Sequence, residues 1–317
     1  MCDVLVLRKG AHGMSAESYA EAIRERLPER AVVLARTPGE ERELIRTART
    51  VTGATLRPEL LEVAERTELF ACTWAGTGHL PMDRLADAGI TVTNASGIHA
   101  PNIAETVVGH ILVFARRLHE GWTRSQRAEW RHFQAFELAG STVTVIGQGS
   151  IGEAIVERLA GFDVDTIGVR YTPSKGGPAD EVIGFEQDAL HAALARTDYL
   201  AVASPLTETT RGLIGSSEFD TLPPEAVLVN IARGQLVDTR AMEEAIRSQS
   251  IRGAALDVTD PEPLPPDHSL WSYENVVVTP HNAGHTPKHW ERMADIVASN
   301  VIKLDGGGDL TNVVHSG

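Results

Sequence analysis

The run Thr142-Val143-Thr144-Val145-Ile146-Gly147-Gln148-Gly149-Ser150-Ile151-Gly152 decides the fold. An apolar, β-branched stretch leads into a glycine turn, and Glu153 to Leu159 then spaces its apolar residues as a helix does. Strand, glycine turn and helix in that order are the context of a dinucleotide-binding fingerprint. Gly147 permits the tight turn, Gly149 lets the backbone approach a pyrophosphate, and Gly152 lets the helix pack closely on the strand. Unpaired N–H groups at the helix start favour phosphate there, so Gly147, Gly149, Ser150, Ile151 and Gly152 are candidate cofactor-binding residues.

Upstream, residues 1 to about 100 alternate short apolar strands with helical patterns. The strands are Val4 to Leu7, Ala31 to Ala35, Thr50 to Thr55, Leu69 to Trp74 and Ile90 to Asn94. Helices are expected over Ala16 to Leu27, Glu40 to Ala48, Pro58 to Arg66 and Met82 to Ala88. This spacing predicts a five-stranded, flavodoxin-like parallel layer without a phosphate loop of its own. A long helix from about Asn102 to Leu118 leads away from it. Downstream, six strands are expected from Thr142 to Thr279, with a last helix over about Lys288 to Asp305. The fold class is α/β, with two Rossmann- or flavodoxin-like parallel-sheet domains.

The 317 residues suffice for two domains, and 42% apolar with 23% charged is the composition of a water-soluble globule. No segment reads as a secretion signal or a bilayer span, and two cysteines, Cys2 and Cys72, fit a reducing compartment; a cytoplasmic protein is expected. The net charge of −14 opposes binding to nucleic acid or an anionic membrane. Only four of the 29 basic residues are lysines, Lys9, Lys175, Lys288 and Lys303. A salt-adapted surface and a GC-rich coding bias both account for this, and the sequence leaves the choice open.

Cofactor type turns on position 170. An acid at the end of the strand following the fingerprint binds the ribose diol of NAD, but here the strand Asp165 to Val169 ends at Arg170. A guanidinium pairs with a 2′-phosphate in a two-bond fork, and Thr172 and Lys175 add a hydroxyl and a second cation. NADP(H) is therefore the preferred cofactor, with NAD(H) as the alternative. A solvated arginine in a turn is the plainer reading.

Three further residues merit weighing. Arg233 follows an apolar strand, at the carboxyl end where ligands of open α/β sheets bind, and is suited to hold a carboxylate. Glu262 lies in the proline-rich loop Asp260 to Asp267, where an acid is ordinarily just solvated. His281 is one of twelve histidines. His281 and His285 share the spacing of metal ligands on a helix, but Pro280, Gly284 and Pro287 oppose a helix there, so no metal site is expected.

Taken together, the chain resembles the D-isomer-specific 2-hydroxyacid dehydrogenase family. The resemblance rests on Gly147 to Gly152, Ser204 to Thr210, Val229 to Gly234, Ala255 to Val258 with Glu262 to Leu264, and Asn275 to His281. Trp74 to Gly78, Val92 to Gly97 and Ala104-Glu105 carry it into the first domain. It implies a catalytic set of Arg233, Glu262 and His281, with His281 as acid/base, Glu262 orienting it and Arg233 clamping a 2-oxo carboxylate. It adds Ser204, Pro205, Thr209, Ile231, Ala232 and Asp257 to the cofactor site, Asp257 toward the nicotinamide carboxamide. Gly76, Thr77 and Gly78 join Arg233 and His281 as substrate-binding residues.

The resemblance also implies a substrate domain of 1–100 plus 286–317, and a cofactor domain of 101–285 whose segment 101–132 is a dimer arm. The reaction would sit in a cleft between them, in a homodimer acting on a small 2-oxo or 2-hydroxy acid. Two departures bear on specificity: Arg170 in place of an acid, and Leu80 where the family often has one. A glyoxylate/hydroxypyruvate reductase is one alternative. A phosphoglycerate dehydrogenase is another, less favoured because no regulatory domain is expected after Gly317. From a different class, a dinucleotide-sensing corepressor shares the fold but would not need the three catalytic groups.

Overall fold

The computed structural model describes residues 2–11 and 13–315; the last two positions of the expected substrate domain, Ser316 and Gly317, lie outside them. The strands of the first half are β1 (Val4–Val6), β2 (Val32–Leu34), β3 (Thr50–Gly53), β4 (Leu69–Cys72) and β5 (Thr91–Thr93). Then come β6 (Thr142–Ile146), β7 (Asp165–Val169), β8 (Glu181–Ile183), β9 (Tyr199–Val202), β10 (Val227–Asn230), β11 (Gly253–Leu256), β12 (Val276–Val278) and β13 (Val313–His315). The chain divides into two compact units, Met1–Ile98 with His285–Gly317, and His99–Gly284.

In the first unit the sheet runs β13-β5-β4-β3-β1-β2. Its first five strands in the chain pair in parallel, the flavodoxin-like arrangement expected. The sixth corrects that expectation: β13 returns antiparallel to β5, pairing Val313 with Thr93. The helix His289–Gly306 brings the chain back by packing on the helix Ala16–Arg26, where the Tyr19 and Trp290 rings stack 4.3 Å apart. Ser15 starts the earlier helix, its hydroxyl accepting from the Ser18 N–H at 3.2 Å.

The second unit holds seven parallel strands in the order β12-β11-β10-β9-β6-β7-β8, one more than expected. From β6 the chain first fills one side of the sheet, then crosses to β9 and fills the other. The carboxyl ends of β6 and β9 are therefore the switch point, where such sheets bind ligands. Both faces are covered by helices, so the central strands are mostly apolar, and β9, β10 and β11 are buried along their whole length.

The long helix departs from expectation. It spans Ala100–Ala115, stops where Arg117 takes a left-handed φ of +51°, and a second helix runs Leu118–Gln126. The remainder of the expected 101–132 arm, beyond Gln126, is irregular. Among the described residues no helix is long and apolar enough to cross a membrane.

Candidate active site

At the switch point the glycine turn is required by geometry. Gly147 has φ +97°, and a Cβ there would lie 2.7 Å from the Ser204 Cα on the neighbouring loop. Any side chain at Gly152 would strike the Gly147 carbonyl. Gly149 faces open space and precedes the helix Ser150–Leu159, whose start has no side-chain cap. Ser150 is exposed, Ile151 half-buried and Gly152 buried in its first turn. The free N–H groups there point to an anion, so the turn fits a dinucleotide pyrophosphate.

Beside the turn lies a cavity of about 450 Å³. Of the candidate cofactor residues, Gly147, Gly149, Arg170, Thr172, Ser204, Pro205 and Thr209 line it. Gln148 and Lys175 line it too. The Arg170 guanidinium donates through Nη1 to the Gly176 carbonyl and stands 3.5 Å from the Glu153 carboxylate. Ile231 and Ala232 lie buried beyond β10, outside this cavity.

Further along the same sheet edge, Arg233 is exposed at the end of a turn built by Asn230. The Asn230 side chain, 1% exposed, accepts from the Ala232 N–H at 3.1 Å and donates to the Arg233 carbonyl at 3.1 Å. Gly234 then presses on the next loop: any Cβ would collide with the backbone of Thr259 and Asp260. That contact sets the Arg233 turn against the loop carrying Glu262.

His281 follows β12 in a left-handed conformation, φ +51°, which a non-glycine residue adopts only when its surroundings hold it. Asp257, at the end of β11 and 2% exposed, provides the hold. Its carboxylate accepts from Thr279 Oγ1 at 2.5 Å, the Asn282 N–H at 2.8 Å and the Ala283 N–H at 2.9 Å. Its carbonyl accepts from the His281 N–H at 2.8 Å. The carboxamide contact expected of Asp257 therefore competes with three bonds already made within the chain.

The imidazole so placed donates from Nδ1 to Glu262 Oε1 at 2.6 Å, which leaves Nε2 for proton exchange. The solvated role open to Glu262 in the sequence thus gives way to a specific pairing. In the first unit, Gly76, Thr77 and Gly78 form the loop after β4, and both glycines are exposed with open space where a side chain would be. The Asn94 side chain ties the loop's start by donating to the Ala75 carbonyl at 2.6 Å.

Two residues that sequence reasoning passed over shape these sites: Asn230 as the strut of the Arg233 turn, and Gln148 as an inward-facing wall of the cavity. An Asn closing a strand before a turn is a signal for the first. Nothing in the sequence marks the direction of the second.

Residues 108–283 match the model of the D-isomer specific 2-hydroxyacid dehydrogenase NAD-binding domain. The glyoxylate reductase of Thermococcus litoralis is 32% identical over 266 residues, covering 81% of this chain and 80% of that one. The D-3-phosphoglycerate dehydrogenase of Methanocaldococcus jannaschii is 33% identical over 267 residues, 83% of this chain but 50% of the longer relative. The structure of a D-isomer specific 2-hydroxyacid dehydrogenase from Xanthobacter autotrophicus Py2, in complex with NADPH and MES, superposes with a TM-score of 0.80 at 26% identity, covering 99% and 98% of the two chains. Nucleotide turn, paired imidazole and sequence kinship converge: the chain belongs to the D-isomer specific 2-hydroxyacid dehydrogenase family, oxidoreductases that act on CH–OH donors.

Proposed function

We propose that the protein reduces a small 2-oxo acid to the D-2-hydroxy acid, with His281 as the proton donor and NADP(H) as the preferred cofactor. The observation that carries this reading is the 2.6 Å bond between His281 Nδ1 and Glu262 Oε1. The carboxylate fixes the orientation of the imidazole, and His281 gives the Nε2 proton to the carbonyl oxygen. Arg233 clamps the carboxylate and polarises the carbonyl. A bound nicotinamide cofactor supplies the hydride to the carbonyl carbon. In oxidation the same histidine takes the proton back.

Arg170, Thr172 and Lys175 on one cavity wall support the 2′-phosphate reading. So does kinship to an enzyme solved with NADPH. Relatives named glyoxylate reductase favour a short substrate, glyoxylate or hydroxypyruvate, over longer 2-oxo acids. A homodimer is also proposed. Trp122 and the fully exposed Trp130 offer apolar area on the 101–132 segment. Beside them a groove of about 910 Å³ is lined by both arginines (Arg117, Arg124, Arg252) and glutamates (Glu120, Glu129, Glu274), a mixed-charge surface that a second copy of the chain could pair with.

Oxidation of NADPH and NADH with glyoxylate, hydroxypyruvate and 2-oxohexanoate tests the enzyme reading, and Arg170→Asp tests the cofactor. Faster turnover with NADPH, reversed by Arg170→Asp, is expected. Faster turnover with NADH overturns the cofactor preference, and dinucleotide binding without turnover on any acid overturns the reductase.

A further inference from the structure

Gln148, second in the glycine turn, is 4% exposed, and its side chain runs inward toward β7. Gly168 makes room for it, and Gly152 and Gly177 lie in contact with it. A Cβ at Gly168 would lie 2.7 Å from the Gln148 Cδ; Cβ atoms at Gly152 and Gly177 would lie 3.4 and 3.5 Å from its amide. The amide nitrogen donates to the Val145 carbonyl at 3.4 Å. The amide oxygen is buried and has no hydrogen-bond partner.

Arg170 closes on the same place. Its Nη1 lies 3.7 Å, and Gln148 Oε1 lies 3.5 Å, from the point where a Gly177 Cβ would stand. That nitrogen is engaged by the Gly176 carbonyl and lies near Glu153. A guanidinium carries five donors in a rigid fork, so an acceptor that holds one nitrogen leaves the other two to grip an anion. The one vacant buried acceptor here thus stands beside a group made only of donors, and both line the nucleotide cavity.

We propose that Gln148 is a positioning residue for Arg170: its amide oxygen receives Nη1 when the guanidinium turns from the Gly176 carbonyl to present its other nitrogens to the 2′-phosphate of NADPH. The proposal rests on the reading of Arg170 as the 2′-phosphate group. A buried acceptor without a partner destabilises the free protein, and such groups persist where a site uses them. Space-filling alone would be served better by hydrocarbon.

Calorimetric titration with NADPH and with NADH, together with thermal melts, of the wild-type, Gln148→Met and Arg170→Gln proteins tests this. Methionine keeps the length and deletes the vacant acceptor together with the long 3.4 Å bond to the Val145 carbonyl. Gln148→Met is expected to melt about 2–4 °C higher, to bind NADPH roughly tenfold more weakly, and to bind NADH within about twofold of wild type. Unchanged NADPH affinity, equal weakening of both cofactors, or a lower melting temperature overturns the proposal. If Arg170→Gln leaves NADPH binding intact, the 2′-phosphate reading fails and the proposal with it. If Arg170→Gln weakens NADPH while Gln148→Met does not, the proposal fails alone. Should Gln148→Met not fold, Gln148→Leu carries the same comparison.

Discussion

His281 and Glu262 come from the ends of adjacent strands, β12 and β11, and meet through a single bond of 2.6 Å. Neither loop is regular. The left-handed turn of one and the glycine contact beneath the other bring the two side chains together, so the pair is a property of the loops' anchoring rather than of the helices around it.

Glu262→Gln keeps the shape of that contact and removes its charge. Turnover in reduction is expected to fall about 10²-fold, the scale of a positioned acid–base group. Cofactor affinity measured by calorimetry should stay at the wild-type value. A turnover loss below about threefold would show that His281 needs no carboxylate.

Arg233→Lys retains a positive charge and loses the planar fork. The KM for the 2-oxo acid is expected to rise about tenfold or more, with a smaller change in kcat at saturation. Asn230→Ala should act in the same direction but more weakly, because it loosens the turn and leaves the guanidinium. Steady-state kinetics on glyoxylate separates the two, and a KM unchanged in both variants removes Arg233 from substrate binding.

Gly234→Ala forces a methyl group into the backbone of Thr259 and Asp260. A destabilisation of about 1–3 kcal/mol is expected from overpacking against atoms that cannot rotate away. Urea unfolding gives the stability, and activity measured well below the transition should also fall because the Glu262 loop is displaced. Wild-type stability in this variant would show that the loop yields freely.

Burial holds the His110 imidazole below the ordinary histidine range, with Asp257 pulling the other way more weakly. Burial does the same to His119. The unfolded chain therefore takes up these protons first as the pH falls. Their contribution is unaffected above about pH 6.5 and stability is lost progressively below it. Melting temperatures from pH 7.5 to 5 should decline, and His110→Gln should shallow the slope. An equal slope in the variant would exclude His110 as a source.

The strand, turn and helix from Thr142 to Leu159 were legible because Gly147 and Gly152 answer local demands, a positive φ at the first and a blocked Cβ at both, that no other residue meets. The β13 strand was not: Val313 to His315 is too short to show a period, and its pairing with β5 is set by the return of the last helix. The break at Arg117 was equally hidden, since arginine favours helices; here it takes a left-handed φ and its guanidinium donates to the Gln134 carbonyl at 3.1 Å. Arg233, Glu262 and His281 could be named from the text of their motifs. The bonds of Asp257 that hold His281 could not, because a carboxylate at a strand end gives no direction for its side chain.

The close fit of Gln148 over Gly168 makes these two positions interdependent in descent as well as in space. With the glutamine at 148 turned inward, a side chain at 168 forces one of the two to shift, since a Cβ there would sit 2.7 Å from the glutamine. In an alignment of relatives, bulky residues at the first position should therefore accompany glycine at the second, and alanine or larger at the second should accompany short residues at the first. A lineage moving from one combination to the other passes most easily through a sequence small at both positions, so the order in which the two mutations arise is constrained: the shorter side chain must come first.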